Sequence, residues 1–249
     1  MRNAPDPRWI VPDWPAAPGV RALITTRAGG VSAGNYASLN LGTEVGDDPA
    51  CVARNRAIVG ACLPGEPKWL KQVHGIGIIE AEQAAVGTEA DGAIVRDPGV
   101  VCAVLTADCV PVLLCDRAGG VAAVAHAGWR GLAAGIVERV VRAMGAAPRK
   151  LLAYLGPGIG PRAYEIGEEI RRVFIDQDPG AAEAFAPGRP GKYLADLYGL
   201  ARRRLAAAGV VEVYGGGFCT ASEERFFSYR RDGTATGRMA SFVWLEGTP

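Results

Sequence analysis

The sequence predicts an α+β fold, a single domain in which mixed β-sheets are covered by helices. Short apolar runs rich in β-branched residues recur along the chain, and several show so little polar alternation that both faces of the strand must be covered. Between them lie segments with apolar residues at helical spacing. Hydrophobic residues make up 49% of the chain, enough for a large core. No repeat or linker divides residues 1–249, so we expect one domain.

Seven apolar runs are predicted to be strands, because each is short and is bounded by residues typical of turns. They cover residues 22–26, 100–106, 110–115, 121–125, 151–155, 210–214 and 239–244. The second and third resemble a hairpin whose connection holds the polar residues Thr106, Asp108 and Cys109. Since proline cannot donate to a strand ladder, Pro111 argues against regular pairing just beyond this connection. Polar groups held at a strand end indicate a binding loop.

Three segments are predicted to be helices, because their apolar residues recur at helical spacing with arginine and glutamate between them. They cover residues 132–144, 167–175 and 194–208. Gly145 and Asp196 are residues suited to helix ends.

Charge and composition exclude several classes of protein. The 27 basic and 26 acidic residues give no general attraction to nucleic acid or an anionic membrane. The first residues carry charges and prolines where a secretory signal needs an apolar core, and the longest apolar stretch, residues 100–115, is too short to cross a bilayer as one helix. The six cysteines form no C-x-x-C pair, which favours a reducing cytoplasm. Nothing in the sequence predicts an oligomer.

The chain contains only two histidines, His74 and His126, and each ends an apolar run close to a glycine. Together with Cys109 they would supply two imidazoles and a thiolate to a metal, leaving a fourth tetrahedral position open, as catalytic zinc sites do. The three residues are far apart in sequence, so spacing leaves a second interpretation open. In that interpretation the histidines are hydrogen-bonded core residues and the cysteine is an inert buried thiol.

Several motifs occur together in one order. They are T-T-R-A-G-G-V-S and A-S-L-N-L-G within residues 25–42, K-Q-V-H-G at 71–75, T-A-D-C-V-P-V-L-L at 106–114, H-A-G-W-R-G at 126–131, L-G-P-G-I-G and Y-E-I-G within 155–167, and F-F-S-Y-R-R-D-G and T-G-R-M-A-S within 226–241. This set closely resembles the bacterial polyphenol-oxidase-like, or laccase-domain, family, whose members are described as purine nucleoside phosphorylases with adenosine deaminase activity. The resemblance covers nearly the whole chain.

The resemblance implies that His74, Cys109 and His126 are the metal ligands. It also implies a metal-dependent phosphorylase that converts adenosine, inosine or methylthioadenosine and phosphate to the free base and a ribose-1-phosphate type of product. Copper is compatible with two histidines and a cysteine, but two histidines cannot supply the imidazoles that a multicopper cluster needs. We therefore expect Zn²⁺ ahead of Cu²⁺, and rank copper-dependent polyphenol oxidation low.

Phosphorolysis requires an anion pocket, and Arg130 is the first candidate for it. This residue follows Gly128 and Trp129 at the start of a predicted helix, where its guanidinium can add to backbone N–H groups. Arg230, Arg231 and Arg238 form a second candidate cluster, although nearby acids would also explain them as solvated ion pairs. Arg27, just before Gly29 and Gly30, is a further candidate for anion binding, with a solvated ion pair as the alternative.

The remaining site predictions concern proton transfer and substrate contact. Deamination needs a carboxylate that carries a proton to and from an activated water, and Asp108 is the preferred one, with Asp91 and Glu165 as alternatives. The other candidates are Tyr164 and Tyr229 for the purine and Ser32 and Asn40 for the ribose. Lys71, which precedes His74 in the same strand-like segment, is a further candidate for substrate binding. Phe226 and Phe227 are expected in the core.

Two other classes of function remain open at this stage. Cys109 and His126 could form a nucleophile and base that attack an amide, with a peptidoglycan precursor as the substrate. A metal-storage protein would bind metal without turnover. The open fourth position argues against storage, because structural zinc sites are closed by four protein ligands.

Overall fold

Three β-sheets and the helices packed on them organise the computed structural model, which describes residues 2–247. The strands are β1 (Val20–Ile24), β2 (Pro67–Lys68), β3 (Ile78–Glu80), β4 (Gly92–Val95), β5 (Val101–Thr106), β6 (Val110–Asp116), β7 (Ala122–Ala127), β8 (Leu151–Leu155), β9 (Glu165–Gly167), β10 (Phe185–Pro187), β11 (Lys192–Ala195), β12 (Glu212–Gly215) and β13 (Met239–Leu245). The α-helices are α1 (Pro49–Gly60), α2 (Trp129–Ala134), α3 (Ile136–Met144), α4 (Glu168–Ile175), α5 (Leu197–Ala207) and α6 (Tyr229–Asp232). Short 3₁₀ turns cover Gly34–Tyr36, Pro148–Lys150 and Pro179–Ala184.

The largest sheet has six strands in the order β12-β8-β6-β7-β4-β3. Its two edge pairs are parallel and its inner pairs are antiparallel. A four-stranded sheet has the order β1-β13-β5-β2, and a three-stranded sheet has the order β10-β11-β9. The prediction of an α+β fold with mixed sheets covered by helices is therefore confirmed.

The six-stranded sheet is buried on both faces, which explains the weak polar alternation of its strands. One face packs with α3 and α5 in the largest hydrophobic cluster, which contains Val112, Val140 and Leu205. The other face packs against the four-stranded sheet through residues such as Leu113 and Val243. The other face of the four-stranded sheet packs in a third hydrophobic cluster, which includes Phe242 of β13 and Val59 of α1.

One predicted helix is divided in the structure, so the prediction of a continuous helix over 132–144 is wrong. Gly135 adopts a left-handed conformation with φ 94° and separates α2 from α3. This backbone conformation favours glycine, which has no Cβ to clash. The helix predicted from residue 194 begins only at Leu197, after Asp196, because residues 194 and 195 pair in β11.

The expected hairpin around residues 106–111 is not a hairpin. β5 belongs to the four-stranded sheet and β6 to the six-stranded sheet, so the chain passes between sheets at this connection. Pro111 lies within β6, opposite His126 of β7, contrary to the expectation that it would prevent regular pairing. The connection is where the polar residues are held.

Several elements have no clear signal in the sequence. Helix α1 buries only Val52, Asn55 and Val59, too few to mark an apolar stripe, although Asp48 caps it by accepting the Ala50 N–H at 2.9 Å. β2, β3, β9 and β10 have two or three residues each and are defined by their partners. Within residues 2–247 all six cysteines are free thiols, and no helix reaches the length and apolarity required to span a membrane.

Candidate metal centre and its cleft

The structure brings together the three residues that could hold a metal. His74 lies in the connection between β2 and β3, Cys109 between β5 and β6, and His126 in β7. Their potential ligand atoms all lie within 4.8 Å of one another. The two imidazole rings meet edge to face with centroids 4.7 Å apart. Three separate parts of the fold thus converge on one point.

Asp91 holds both histidines in place from behind. Its Oδ1 lies 2.8 Å from His126 Nδ1 and accepts the His74 backbone N–H at 2.9 Å. Its Oδ2 accepts the N–H groups of Gly75 at 2.7 Å and Val73 at 3.2 Å. Asp91 is 0% exposed. These contacts support the left-handed backbone of His74, φ 59°, and leave Nε2 of His126 available to an ion.

The thiol and imidazole of the centre affect each other's ionisation. Burial alone would raise the pKa of Cys109, but the adjacent His126 and His74 outweigh burial and lower it. Burial alone would lower the pKa of His126, but the Cys109 thiolate and Asp91 outweigh burial and raise it. The cysteine therefore favours the thiolate, which is the form that binds metal.

The donor set fits a catalytic zinc site. Two imidazole nitrogens and a thiolate are ligands that Zn²⁺ prefers, and three protein ligands leave one tetrahedral position for another group. The carboxylate on His126 Nδ1 is the outer partner that metal-ligating histidines usually have. The potential ligand atoms lie close enough together to share one ion.

Gly128 leaves the space that this centre needs. A Cβ at this position would lie 2.7 Å from Cys109 Sγ and 3.3 Å from His74 Cδ2. We expect Gly128→Ala to displace the thiolate and weaken metal binding by at least about tenfold, comparable to the loss of an outer partner. Titration against a fluorescent chelator measures this affinity. Gly60→Ala is the control, since its added Cβ would meet no atom within 4 Å beyond its chain neighbours and its own helix backbone; equal metal affinity in both variants would contradict the prediction.

The centre lies in a cleft of about 860 Å³. Besides the three candidate ligands, its lining includes the cations Arg56, Lys71, Arg130, Arg230 and Arg238, the carboxylates Glu44 and Asp108, and the aromatic residues Trp69, Trp129, Tyr164 and Tyr229. This volume is within the range of about 300–1,000 Å³ that is typical of small-molecule sites. Of the residues predicted for substrate contact, Lys71, Arg130, Tyr164, Tyr229 and Arg230 are brought together here.

Arg130 and Arg230 of the cleft stack on aromatic rings. The Arg130 guanidinium carbon lies 4.7 Å from the centroid of the Trp129 ring, and that of Arg230 lies 4.8 Å from the Tyr164 ring. Arg230 also donates to the Glu165 carbonyl at 2.7 Å. Within residues 2–247 neither arginine has a carboxylate partner. Burial raises the pKa of Tyr164 to about 12, so its hydroxyl keeps its proton at neutral pH.

Asp108 lines the cleft beside Cys109, because its left-handed backbone, φ 95°, forms a turn between the two sheets. Both oxygens of its carboxylate already accept short hydrogen bonds: from the Thr220 hydroxyl at 2.6 Å and from the Arg230 N–H at 2.6 Å. The geometry therefore assigns Asp108 to holding α6, which carries Tyr229 and Arg230, against the centre. If Asp108 carried a proton, as predicted, its carboxylate would have to give up one of these hydrogen bonds.

The alternative carboxylates are also engaged. Asp91 lies behind the histidines, and Glu165 forms an ion pair with the exposed Arg189. Lys71 lines the cleft with its ammonium 3.5 Å from Glu89.

Ser32 and Asn40 lie outside the cleft lining, so the expectation that they contact ribose is corrected. Asn40 is 0% exposed; its amide donates to Asp47 at 2.9 Å, and its Oδ1 accepts the Arg238 N–H at 2.9 Å. Ser32 donates to the same Asp47 carboxylate at 2.7 Å. Since their polar groups are used internally, both side chains hold the loop whose residues 42–45 face the cleft.

The other weighed residues have structural roles. Phe226 and Phe227 are fully buried, as expected, and Arg27 stacks on Phe227 with its Nε donating to the Ala37 carbonyl. Arg231 pairs with Asp232.

The cleft residues that sequence reasoning missed include Glu44, Arg56, Trp69 and Gln72. The amide of Gln72 exchanges two hydrogen bonds with the backbone of Leu105, at 2.9 and 2.7 Å. The usable signal was K-Q-V-H-G itself, since Gln72 lies two residues before His74. Arg56 could not be found, because α1 was not predicted.

Known proteins resemble this chain over nearly its whole length. The family model described as multi-copper polyphenol oxidoreductase laccase matches residues 21–246. Proteins named purine nucleoside phosphorylase from Pseudomonas aeruginosa and Escherichia coli are each 52% identical over 240 residues, covering 96% and 95% of this chain and 98% of each relative. Among solved structures, a Neisseria meningitidis protein aligns with TM-score 0.93 and 52% identity over 96% of this chain and 100% of its own. YlmD from Geobacillus stearothermophilus aligns with TM-score 0.89 and 33% identity over 96% of both chains.

Proposed function

Because this chain belongs to the family described as multi-copper polyphenol oxidoreductase laccase, and its relatives carry the name purine nucleoside phosphorylase, we propose that it is a zinc-dependent purine nucleoside phosphorylase. Its substrates would be adenosine, inosine or methylthioadenosine together with phosphate. One observation carries this proposal: the His74, Cys109 and His126 centre opens into a cleft with arginines that lack carboxylate partners.

Phosphorolysis forms a bond from a phosphate oxygen to C1′ of the ribose and breaks the bond from C1′ to the purine, which leaves with the electron pair and takes up a proton. When bound, Zn²⁺ supplies Lewis-acid stabilisation of the negative charge that develops during this step. Arg130 and Arg230 would bind and orient the phosphate by charge-assisted hydrogen bonds. Tyr164 and Tyr229 offer aromatic surface and hydroxyl groups to the base.

The phosphate-binding argument depends on the Arg130 side chain. Helix α2, whose first turn contains Arg130, has only six residues, so its amino terminus contributes little. We expect Arg130→Gln to raise the KM for phosphate by about 10- to 100-fold, since a hydrogen bond to a charged group contributes about 1.5–3 kcal/mol. The KM for the nucleoside should change much less. Initial rates at varied phosphate and nucleoside measure both constants, and equal changes in the two would contradict this assignment.

Adenosine deamination is the narrower part of the proposal. It needs a carboxylate that relays protons, and the three carboxylates weighed for this role, Asp91, Asp108 and Glu165, all accept other hydrogen bonds. Glu44 lines the cleft, and within residues 2–247 its carboxylate enters no ion pair. Glu44 is therefore the carboxylate left for a deamination step, while the cleft arginines that form no ion pair favour phosphorolysis as the principal reaction.

Copper-dependent oxidation receives less support. A multicopper cluster needs more imidazole ligands than the two histidines of the chain provide. Both histidines already belong to the one centre.

A thiolate nucleophile is the second candidate. The contact between Cys109 and His126 favours it, because a histidine that lowers the pKa of a cysteine is the usual activation of such nucleophiles. The reaction would then be cleavage of an amide such as that of a peptidoglycan precursor. A thiolate engaged by zinc cannot attack in this way, so metal content separates the two candidates.

The test of the proposal is base release by protein of measured metal content. We expect adenine or hypoxanthine to appear from adenosine or inosine only when phosphate is added, with ribose 1-phosphate in equal amount. His126→Ala should abolish the reaction. Chromatography also detects inosine formed from adenosine, which reports deamination. If the zinc-loaded protein releases no base, the phosphorylase proposal fails and amide substrates take its place.

A further inference from the structure

A second group of cations in the cleft is not used by the proposed phosphate site. Arg56, from α1, donates from Nε and Nη2 to the Leu41 carbonyl at 3.0 and 2.9 Å. Arg238 packs against the next residue, since a Cβ on Gly42 would lie 2.8 Å from its Cγ. Its backbone N–H is held by Asn40 and its carbonyl by the Leu41 N–H. The Arg56 guanidinium and the aliphatic stem of Arg238 therefore contact the same two-residue segment, and both residues line the cleft.

These two arginines are half-buried cations that form no direct ion pair within the described residues. No ion pair among residues 2–247 includes either of them, although most other arginines of the chain pair with a carboxylate. Both side chains are half-buried, and this burial lowers the pKa of both guanidinium groups. The charges of Glu66 and Asp108 act on Arg56 and Arg238 from beyond ion-pair distance, and a bound anion would compensate these two partly buried cations directly.

Their remaining hydrogen-bond donors are free to contact a ligand. Arg238 uses Nη1 for the carbonyls of Thr236 and Gly237, and no hydrogen bond within residues 2–247 uses its Nη2. Within residues 2–247 no hydrogen bond uses Nη1 of Arg56 either. The guanidinium of Arg56 stacks on Trp69, with its carbon 4.1 Å from the ring centroid. A rigid guanidinium with an unused N–H edge is well suited to phosphate oxygens.

The charge of the whole cleft agrees with this arrangement. Five cationic side chains line it against two carboxylates, and one of those, Asp108, is already hydrogen-bonded. One inorganic phosphate at Arg130 would leave Arg56 and Arg238 uncompensated. The cleft volume of about 860 Å³ also leaves room for more than a nucleoside and a phosphate ion.

We propose that Arg56 and Arg238 form a second anion subsite, which binds the phosphate ester of a nucleoside 5′-phosphate, so that nucleotides are ligands of the cleft. The inference deepens the proposed function and rests on it for the position of the sugar and base. The binding of the ester itself requires only the two guanidinium groups and can be measured without turnover.

The test compares inosine with inosine 5′-monophosphate by isothermal titration calorimetry on the metal-loaded protein, without inorganic phosphate. We expect the nucleotide to bind about 10- to 100-fold more tightly, as charge-assisted hydrogen bonds predict, and this advantage to fall as salt is added. Arg56→Gln and Arg238→Gln should each remove most of the advantage and leave inosine binding within about threefold. Arg56→Lys should retain part of it, because the charge remains.

Arg202→Gln is the matched control, since Arg202 also donates to backbone carbonyls, those of Val213 and Gly215, but lies outside the cleft lining. Equal affinity of nucleoside and nucleotide for the wild-type protein would overturn the proposal. So would loss of the advantage in Arg130→Gln but not in Arg56→Gln or Arg238→Gln, because the ester would then occupy the inorganic phosphate site. If the protein releases no base but still prefers the nucleotide through Arg56 and Arg238, the subsite stands and the phosphorylase proposal fails.

Discussion

Replacement of Cys109 by serine is expected to remove the metal and the activity together. The hydroxyl of serine stays protonated at neutral pH, and it cannot replace the thiolate that His74 and His126 favour at this position. We expect metal affinity to fall by more than about 100-fold, which exceeds the usual effect of an outer partner, and base release to fall at least in proportion. Elemental analysis after dialysis and chromatography of the released base measure the two effects.

Cys62→Ser is the matched control, because Cys62 is a half-exposed free thiol outside the cleft lining. It should keep its metal and its rate. Alkylation of the wild-type protein then distinguishes a ligand from a free nucleophile: iodoacetamide should modify Cys109 quickly only after a chelator has removed the metal. Full activity of the metal-free protein, lost on alkylation, would instead identify Cys109 as the nucleophile of an amidase.

Asp91→Asn is the second change with a large expected effect. The carboxylate accepts four hydrogen bonds, from His126 Nδ1 and three backbone N–H groups, whereas an asparagine must turn an NH₂ group toward some of these donors. We expect metal affinity to fall by about 10- to 100-fold, as for other outer partners of metal-bound histidines. A chelator titration measures it, and nitrogen NMR of His126 reports whether Nδ1 keeps its proton.

Asp116→Asn controls for the general effect of this substitution. Asp116 also accepts two backbone N–H groups, from Gly120 at 2.8 Å and Val121 at 3.0 Å, but it is the last residue of β6, at the end of the strand away from the centre. Both variants should lose some thermal stability, and only Asp91→Asn should lose metal affinity. Unchanged metal affinity in a folded Asp91→Asn protein would show that His126 needs no outer partner.

The residues of the centre were accessible to sequence reasoning for a physical reason. Imidazoles and thiolates are scarce and chemically distinct, so two histidines in a chain of 249 residues attract attention wherever they lie. Their roles in the fold were less accessible. Asp91 was predicted only as an alternative proton carrier, because nothing local shows that its carboxylate faces both histidines.

Asn40 and Asp108 show why polar residues were harder to assign. Both stand in motifs that suggested contact with a ligand, and both use their side chains within the protein. Whether a polar side chain meets substrate or a buried backbone group depends on which distant segment packs against it. For Asp108 that segment includes Thr220, and for Asn40 it includes Arg238, each more than a hundred residues away.

The sequence by itself determined the fold class and the main strands, because apolar periodicity is a local property of the chain; it also named the three candidate ligands, but only the resemblance to a family favoured their binding a metal over their lying in the core. Only the tertiary structure decided that β5 and β6 belong to different sheets, that Gly135 divides a helix, and that Arg56 and Arg238 meet at one segment of the cleft. These outcomes depend on strand pairing and long-range packing, whose free energy comes from contacts between segments distant in sequence.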